Sequence, residues 1–297
     1  MKHAYLIMAH NQFHILEVLL KLIDDERNDI FLHIDKKVSN FDFDYFKTII
    51  KKSNLYFTRR YDIKWGDISL TKATINILEE AVGNRKMYRY YHLLSGVDLP
   101  LRTQDQIHAF FEDKNNEFIH FCAKENRKNV IDRYIFLHFF TKYLREKNKI
   151  YKIFRLIDKT VLVFQKMINI KFNKFNNLEI RVGSNWFSIT GNFAEYIIRN
   201  KNNIFKIYKN TKISDESFLQ TLVYNSKFKK NLYKNAIEND DYMACLRYID
   251  WKRGNPYVWK IEDYDQLMNS NYLFARKFDE KESKELIEKI YIKLSAE

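Results

Sequence analysis

Glycine, proline and cysteine are all scarce in this chain, with 6, 2 and 2 residues among 297. So few glycines and prolines exclude collagen-like segments and long linkers, and neither phosphate-loop motif, G-x-G-x-x-G or G-x-x-x-x-G-K-S/T, occurs. Because two cysteines cannot build a disulfide scaffold or a cysteine-based metal site, we predict that Cys122 and Cys245 are small core residues.

Apolar runs stay well below the ~20 residues of a membrane-spanning helix, and the N-terminal run is too short for a signal peptide. We therefore expect a cytoplasmic protein.

Positive charge and aromatic residues are abundant instead. Lysine and arginine outnumber aspartate and glutamate by 51 to 38, a net charge of +13, and aromatic residues make up 16% of the chain. A surplus of this size favours anionic partners such as nucleic acid, phosphorylated ligands or an anionic membrane face.

The basic surplus is concentrated in residues 142–174, which contain ten lysines and arginines but only Glu146 and Asp158 as acidic residues. Apolar residues recur between these charges at near-helical spacing. One interpretation is a basic amphipathic helix in peripheral contact with the inner face of the cell membrane. The other is a cationic helix whose apolar stripe packs on the core. The sequence leaves both open.

Apolar runs alternate with segments of helical periodicity along most of the chain. The predicted strands are 4–9, 30–34, 55–58, 90–94, 117–122 and 242–251, with a β-hairpin over 178–189. The predicted helices are 12–23, 41–52, 69–82, 192–200 and 280–296. This alternation is typical of βαβ units, so we predict an α/β fold with a central, mostly parallel sheet and helices on both faces. No internal repeat or domain boundary interrupts it.

Polar residues follow the predicted strands directly. They are His10 and Asn11, Asp35, and the segment Ser95 to Asp98. Ligands of parallel sheets bind outside the carboxyl ends of the strands, so these residues are candidates for binding. Any one of them could equally be an ordinary loop residue.

The segment that begins at Ser214 combines a helix start with two carboxylates. Ser214 is predicted to be an N-cap, with Asp215 and Glu216 in the first turn. Acidic residues are common there because they complement the helix dipole. Yet the apolar residues in 218–223 would pin this helix into the core and hold a carboxylate at the edge of a cleft, ionised as a general base must be.

Residues 271–279 place Arg276 and Lys277 side by side within an aromatic and aliphatic frame. Two cations on a half-buried wall suit a phosphate group, because a low local dielectric strengthens the attraction. The alternative is an amphipathic element whose basic side chains extend to solvent along an apolar surface.

Candidate metal ligands lack a suitable pattern. The D-x-D motif occurs at 42–44, where it opens a helix, and at 263–265, in a polar turn, but neither directly follows a buried strand. The eight histidines show no zinc-like spacing with carboxylates. We predict no required metal and no cofactor.

A basic RNA-binding protein is the main alternative from another functional class. Charge and aromatic content fit it. However, the sequence contains no helix-turn-helix, zinc-finger or RNP-like pattern, and most aromatic residues lie within apolar runs, where core packing is the simpler interpretation. We therefore predict no nucleic-acid partner.

Seven sequence blocks, in order, resemble the Core-2/I-branching enzyme family, glycosyltransferase family 14, which includes β-1,6-N-acetylglucosaminyltransferases and protein O-xylosyltransferases. The resemblance covers nearly the whole chain and is far more specific than any single block. The blocks are AYLIMAHNQ, FLHIDKK, Lys64-Trp65-Gly66, LLSGVDLPLRT, GSNWFSIT, SDESFLQTL and LFARKFD.

The resemblance implies a single GT-A-type domain over 1–297, with a nucleotide-binding half, 1–115, and an acceptor-binding and catalytic half, 116–297. It also implies inverting, metal-independent transfer from a UDP-sugar, with N-acetylglucosamine as the first choice of donor sugar and xylose as the second. Vertebrate members carry an N-terminal anchor and many disulfides, which are missing here, so the chain resembles bacterial-type members. The implied acceptor is a glycan or lipid-linked oligosaccharide of a bacterial surface polysaccharide. A different nucleotide-sugar donor is the alternative.

The resemblance also implies roles for individual residues. Glu216 matches the catalytic base, and Lys277 matches the lysine that contacts the diphosphate. Three candidates for a second diphosphate-binding cation are, in order, Arg276, Lys260 and Arg253. The implied nucleoside contacts are Ala9, His10 and Asp35. The implied donor-sugar or acceptor contacts are Asp98, Trp186, Trp65 and Asp215.

Overall fold

A computed structural model describes residues 1–84, 86–143, 149–170, 175, 177–233, 237 and 240–296. The strands are β1 (Lys2–Ala9), β2 (Asn28–Ile34), β3 (Asn54–Phe57), β4 (Tyr88–Ser95), β5 (Asp98–Pro100), β6 (Phe118–Ile119), β7 (Phe187–Thr190), β8 (Arg247–Ile249) and β9 (Phe274–Arg276). The helices are α1 (Phe13–Leu22), α2 (Phe43–Thr48), α3 (Ile68–Val82), α4 (Gln104–Glu112), α5 (Lys124–Val130), α6 (Asp132–Ile135), α7 (Lys149–Met167), α8 (Gly191–Arg199), α9 (Lys201–Tyr208), α10 (Phe218–Tyr224), α11 (Tyr264–Met268) and α12 (Lys284–Ser295).

The central sheet has the strand order β3-β2-β1-β4-β7-β6. The first four strands are parallel, whereas β7 runs antiparallel to both β4 and β6. A second, small sheet of order β5-β9-β8 follows the end of β4. The predicted α/β class with a mostly parallel sheet is confirmed.

Both faces of the central sheet are covered. In β1, Tyr5 and Ile7 join the hydrophobic cluster that contains residues of α1, α4 and α12, whereas Ala4 and Leu6 join the cluster with residues of α3 and α8. Side chains alternate along a strand, so these pairs point to opposite faces. A strand buried on both sides reads as an apolar run, which is why the sequence reveals β1 so clearly.

Three strand predictions need correction. The hairpin over 178–189 is wrong, because only Phe187–Thr190 forms a strand and the backbone before it is held by loop contacts, including Arg181 N–H to Thr221 Oγ1 at 3.0 Å. The strand over 242–251 is shortened to Arg247–Ile249, because Leu246 has φ 65° and ends a preceding 3₁₀ turn. Likewise, 117–122 contributes only the two residues of β6.

The predicted N-cap at Ser214 is also wrong. Residues Ser214–Glu216 form a separate 3₁₀ turn, and α10 begins at Phe218. The Ser214 hydroxyl lies 2.7 Å from the Thr71 hydroxyl on α3 and so does not cap a helix. The expected anchoring is confirmed, since Phe218, Leu219 and Val223 are buried.

The basic segment forms α7, as its periodicity predicts, although 144–148 and 171–174 lie outside the described residues. Among the side chains of α7 that the structure describes, the buried ones are the polar Asp158 and Gln165, and several large apolar side chains are exposed. The interpretation that the apolar stripe packs on the core is therefore wrong for the exposed residues such as Leu156 and Phe164, although Phe154 does stack on Phe140. Within the described ranges, no helix combines the length and the apolar character that crossing a bilayer requires.

Candidate functional site

The carboxyl ends of β1, β2 and β4 meet at one edge of the central sheet. The Asp35 N–H donates to the Ala9 carbonyl at 3.0 Å, and the Gly96 N–H donates to the Met8 carbonyl at 3.0 Å. A Cβ at Gly96 would lie 2.8 Å from the Ala9 Cβ, so this close approach requires glycine. The structure therefore brings together the predicted strand-end residues.

Two of the three predicted nucleoside contacts, His10 and Asp35, differ in exposure. Asp35 is buried and accepts a hydrogen bond from the Lys37 N–H at 2.9 Å, whereas the His10 side chain is exposed. Partial desolvation lowers the pKa of His10, and the Asp35 carboxylate opposes that shift. A buried acceptor beside an exposed imidazole suits recognition of a polar ring and its attached sugar.

Arg276 is paired inside the protein. Its guanidinium donates to Asp98 Oδ1 at 2.8 Å and to the Ser95 hydroxyl. The same guanidinium lies 4.6 Å from the centroid of the Trp186 ring, within the range of a cation–π contact. Asp98 is fully buried and also accepts from the Ser95 N–H at 2.8 Å. Arg276, Asp98 and Trp186 therefore form one unit beyond the end of β4.

Lys277 is differently placed. Its backbone carbonyl accepts from the Trp259 N–H at 3.1 Å, and its side chain is partly buried. In the part of the chain that the structure describes, no carboxylate oxygen lies within 4.0 Å of the Lys277 ammonium. The positive charge of Lys277 is thus available to a ligand.

The other two candidate cations each have acidic partners. Arg253 pairs with Asp250 at 2.5 Å and with Asp263 at 2.7 Å, and the Lys260 ammonium lies 3.2 Å from Glu282. Both surround Trp259, whose indole N–H donates to the Arg276 carbonyl at 2.8 Å. The four predicted cations are therefore neighbours, and Lys277 alone among them has no acidic partner in the described residues.

The predicted base, Glu216, lies on a loop that is fastened to the start of α3. The Ile213 N–H donates to the carbonyl of Gly66 at 2.9 Å, which places the 3₁₀ turn beside Trp65 in the sequence block before α3. Glu216 Oε2 lies 3.2 Å from the guanidinium of Arg133, and the carboxylate side chain is 45% exposed. Burial raises the pKa of Glu216, and Arg133 opposes the shift. Arg133 escaped sequence reasoning, because nothing in α6 signals its distant partner.

Asp215, next to Glu216, is a buried carboxyl with a raised pKa. Its side chain accepts no hydrogen bond at Oδ1 from any described residue. Burial, and secondly the charge of Glu216, raise the pKa of Asp215 to about 7. Asp215 can therefore gain or lose a proton near neutrality.

The loop Gly183 to Trp186 connects the carboxylates to the cations. The Gly183 N–H donates to the Glu216 carbonyl at 2.8 Å, and Trp186 at the other end of the loop contacts Arg276. A Cβ at Gly183 would lie 2.0 Å from the His120 carbonyl oxygen, so only glycine fits without a shift of the backbone. Predicted residues from distant parts of the chain thus border one region.

His120, Cys122 and Asp240 form a cluster that sequence spacing could not reveal, since Asp240 is far away along the chain. Their ligand-type atoms lie within 4.8 Å of one another. His120 Nδ1 accepts the Ser184 N–H at 3.0 Å, so Nε2 carries the proton and donates to Asp240 at 3.1 Å. Burial raises the pKa of Cys122 to about 12, which keeps the thiol protonated. Both ring nitrogens of His120 are thus engaged by Ser184 and Asp240 in this structure.

Two surface cavities, of about 490 and 390 Å³, lie at a different place. Both are lined by Asn192 and Glu195 of α8, and the first also by Tyr88 at the start of β4. None of the predicted site residues lines either cavity. The candidate site is defined by the chemistry of its side chains and not by these cavities.

A family model described as Core-2/I-Branching enzyme matches residues 3–268. Xylosyltransferase 1 of Rattus norvegicus is 23% identical over 96% of this chain and 34% of that protein. The N-acetyllactosaminide beta-1,6-N-acetylglucosaminyl-transferase of Homo sapiens is 23% identical over 93% of this chain and 68% of that protein. The chain spans about a third of the length of the xylosyltransferases that it matches.

Two solved structures resemble the chain at low identity. The apo-form glycosyltransferase GlyE of Streptococcus pneumoniae TIGR4 has a TM-score of 0.44 and 11% identity, covering 98% of this chain and 60% of that chain. The apo form of mouse xyloside xylosyltransferase 1 has a TM-score of 0.39 and 8% identity, covering 93% and 97%.

Proposed function

Because the chain belongs to the Core-2/I-branching enzyme family of glycosyltransferases, we propose that it moves a sugar from a UDP-sugar to a hydroxyl of a glycan acceptor, with inversion and without a metal ion. The donor sugar is N-acetylglucosamine as first choice and xylose as second, the two sugars that appear in the names of the relatives.

Glu216 is the general base in this proposal. Its carboxylate, half exposed and oriented by Arg133, removes the proton from the acceptor hydroxyl. The acceptor oxygen then bonds to the anomeric carbon from the face opposite the diphosphate, and the bond from that carbon to the diphosphate oxygen breaks. UDP departs with the electron pair, so an α-linked donor gives a β-linked product.

Lys277 stabilises the negative charge that develops on the departing diphosphate. The observation that carries the proposal is that, among the residues the structure describes, the Lys277 ammonium has no acidic partner, whereas the neighbouring cations all have one. A fixed cation in a partly desolvated site lowers the barrier where charge appears in the transition state. Arg276 then acts through Trp186, by holding one wall of the site in place.

Isothermal titration of the chain with UDP, in parallel with and without EDTA, tests the metal-independent part. We expect the same dissociation constant in both conditions. A UDP affinity that collapses in EDTA and returns with added magnesium or manganese would show that a bound cation neutralises the diphosphate. Thermal-shift screening with ADP, GDP and short RNA in the same buffer separates another nucleotide donor, or a nucleic-acid partner, from UDP.

The acceptor in this proposal is a lipid-linked oligosaccharide of a bacterial surface polysaccharide, reached by peripheral contact with the inner face of the cell membrane. The basic character of the chain, with a net charge of +13, supports contact with an anionic surface. A lipid-linked acceptor would also account for the large apolar side chains that α7 presents to solvent.

A further inference from the structure

Helix α7 presents an apolar face to solvent. Leu156, Phe164 and Met167 are 64%, 58% and 79% exposed. Further exposed apolar side chains on this helix are Ile153, Ile157 and Val163. These six residues, the outer face of α7, recur at intervals of three, four and seven, so they share one side of the helix. Six large apolar side chains exposed on one side of a helix mark an interaction site.

Polar contacts on the opposite side fix this orientation. Asp158 Oδ2 lies 3.1 Å from His138 Nδ1 and 2.6 Å from the Lys212 ammonium. The Gln165 side chain both accepts from and donates to the backbone of Leu137, at 2.9 and 3.0 Å. Rolling α7 to bury its outer face would break these contacts and leave Asp158 without partners, so the helix is held with its apolar side outward.

Basic side chains border the outer face. Lys152 and Lys159 are exposed, and each precedes an apolar residue of the face, Leu156 and Val163, by four positions, which makes them neighbours on the helix surface. Arg155 lies between the two lysines on the same side. Lysines in this position extend their ammonium groups to anionic headgroups while their methylene chains stay near the acyl region. A partner protein with an apolar groove would not need this cationic border, so the charge pattern favours a lipid surface.

We propose that α7 lies flat on an anionic bilayer, with its outer face among the acyl chains and its lysines at the headgroups. This docking would serve to bring the enzyme to a lipid-linked acceptor, and in that respect it rests on the proposed function. Lys166 on α7 pairs with Asp132, the neighbour of Arg133, and Arg133 contacts Glu216. Asp158 similarly pairs with Lys212, four residues before Glu216. Helix α7 is thus linked to Glu216 through these ion pairs and the short backbone segments between them.

Flotation of the full chain tests the proposal, using vesicles of equal parts phosphatidylglycerol and phosphatidylcholine. The variant Leu156→Glu with Phe164→Glu should lower vesicle affinity by about 10-fold or more, because two large side chains no longer enter the acyl region. The matched control is Met87→Glu with Ile292→Glu, which adds the same charge at apolar positions that are 95% and 68% exposed elsewhere. It should float like the unaltered chain.

Two further arms separate charge from apolar insertion. Lys152→Gln with Lys159→Gln should weaken binding to the anionic vesicles by about 30-fold, since each lysine near such a surface contributes about 1 kcal/mol and about 1.4 kcal/mol corresponds to a factor of ten. Vesicles of phosphatidylcholine alone should bind all variants weakly. Equal binding of the unaltered chain to both kinds of vesicle would overturn the anionic part of the proposal.

Other outcomes overturn the docking itself. The proposal is wrong if the unaltered chain fails to float at low salt, or if both pairs of Glu substitutions lose binding equally. It is also wrong if the unaltered chain forms a dimer that vesicles do not dissociate and that Leu156→Glu with Phe164→Glu converts to monomers. The outer face of α7 would then be the interface between two copies of the chain. UDP titration tests the proposed function separately. If the chain floats with the vesicles but does not bind UDP, the membrane-docking proposal stands and the proposed enzymatic function is wrong.

Discussion

Arg276 donates a hydrogen bond to Asp98 at 2.8 Å while its guanidinium lies over the ring of Trp186. The two charged residues are also register partners across β5 and β9. This arginine is therefore neutralised within the protein, although its sequence position beside Lys277 suggests a matched pair of phosphate ligands. Of the two, Lys277 is the cation that remains for a ligand.

Lys277→Ala should weaken UDP binding and slow turnover together. The ammonium is partly buried and has no acidic partner among the described residues, so its loss leaves a bound diphosphate without a charge-assisted hydrogen bond. We expect the UDP dissociation constant to rise by about 10- to 100-fold. Calorimetry measures this, with Lys281→Ala, an exposed lysine nearby, as the control. If Lys277→Ala binds UDP as tightly as the unaltered chain does, Lys277 does not contact the diphosphate.

Glu216→Gln should cut turnover by about 10²-fold or more, the usual contribution of a general base. Glutamine keeps the size of the side chain and can still contact Arg133, so UDP affinity and thermal stability should stay near those of the unaltered chain. Glu288→Gln, at an exposed position of α12, is the matched control. Near-normal turnover in Glu216→Gln would leave Asp215 as the better candidate for the base.

Arg133→Gln should shift the pH dependence of turnover toward higher pH. Arg133 opposes the effect of burial on Glu216, so removing its charge raises the pKa of that carboxyl further. Because the base must be ionised, the variant should lose activity at a higher pH than the unaltered chain when the pH is lowered. A full pH–rate profile checks the shift against Arg199→Gln, an exposed arginine paired with Glu195 on α8. If turnover of Arg133→Gln and of the unaltered chain falls at the same pH on the acidic side of the profile, Arg133 has no effect on the ionisation of Glu216.

Gly183→Ala should disturb both stability and activity. The added Cβ would meet the His120 backbone oxygen at 2.0 Å, and a backbone atom cannot give way as a side chain would. Overpacking of this kind costs typically about 1–3 kcal/mol of unfolding free energy. In the control, Gly83→Ala, the nearest contact of the added Cβ is 3.2 Å. Urea denaturation measures the difference in unfolding free energy. Equal denaturation midpoints for the two variants would show that the backbone at Gly183 has room for a Cβ.

The sequence predicts the central strands well because they are buried on both faces. The apolar runs 4–9 and 30–34 correspond to β1 and β2, and the polar residues after them do meet at one edge. The hairpin over 178–189 fails for the opposite reason. Its alternating residues resemble a strand, but their backbone groups bond to distant loops, such as Gly183 to Glu216, which local pattern cannot encode.

Long-range pairing also limits what the sequence reveals about the site. Motif resemblance predicts roles for Glu216 and Lys277, but no local signal links Arg133 to Glu216 or Asp98 to Arg276. The periodicity of α7 predicts an amphipathic helix but not which side faces inward. Asp158 and its distant partner Lys212 decide that orientation.

Buried histidines make stability depend on pH. His92 Nε2 lies 3.2 Å from His3 Nδ1, and the ring of His3 stacks on that of His108 at 4.1 Å. Burial lowers the pKa of all three, that of His108 to about 4. The unfolded chain, with ordinary imidazoles near pKa 6.5, therefore binds more protons than the folded chain as pH falls below about 6.5.

Two buried carboxyls act in the opposite direction. Burial raises the pKa of Glu117 and of Asp215 to about 7, so the folded chain keeps protons there that the unfolded chain loses above about pH 4.5. Between pH 6.5 and 5 these two groups partly offset the histidines. His33, whose pKa burial also lowers to about 4, adds a fourth imidazole, so the histidines outnumber the carboxyls.

We expect the unfolding free energy to fall as pH drops from 7 to 5. His108→Gln should flatten this dependence by up to about 1.4 kcal/mol per pH unit below 6.5, the effect of one proton bound only by the unfolded chain. Glutamine can still donate to Asn28 Oδ1, which lies 2.9 Å from His108 Nε2, so the fold should tolerate it. Urea denaturation at several pH values measures the slope. The control, His14→Gln at an exposed position of α1, should leave it unchanged. Equal slopes in both variants would mean that His108 takes up its proton as readily in the folded chain as in the unfolded one.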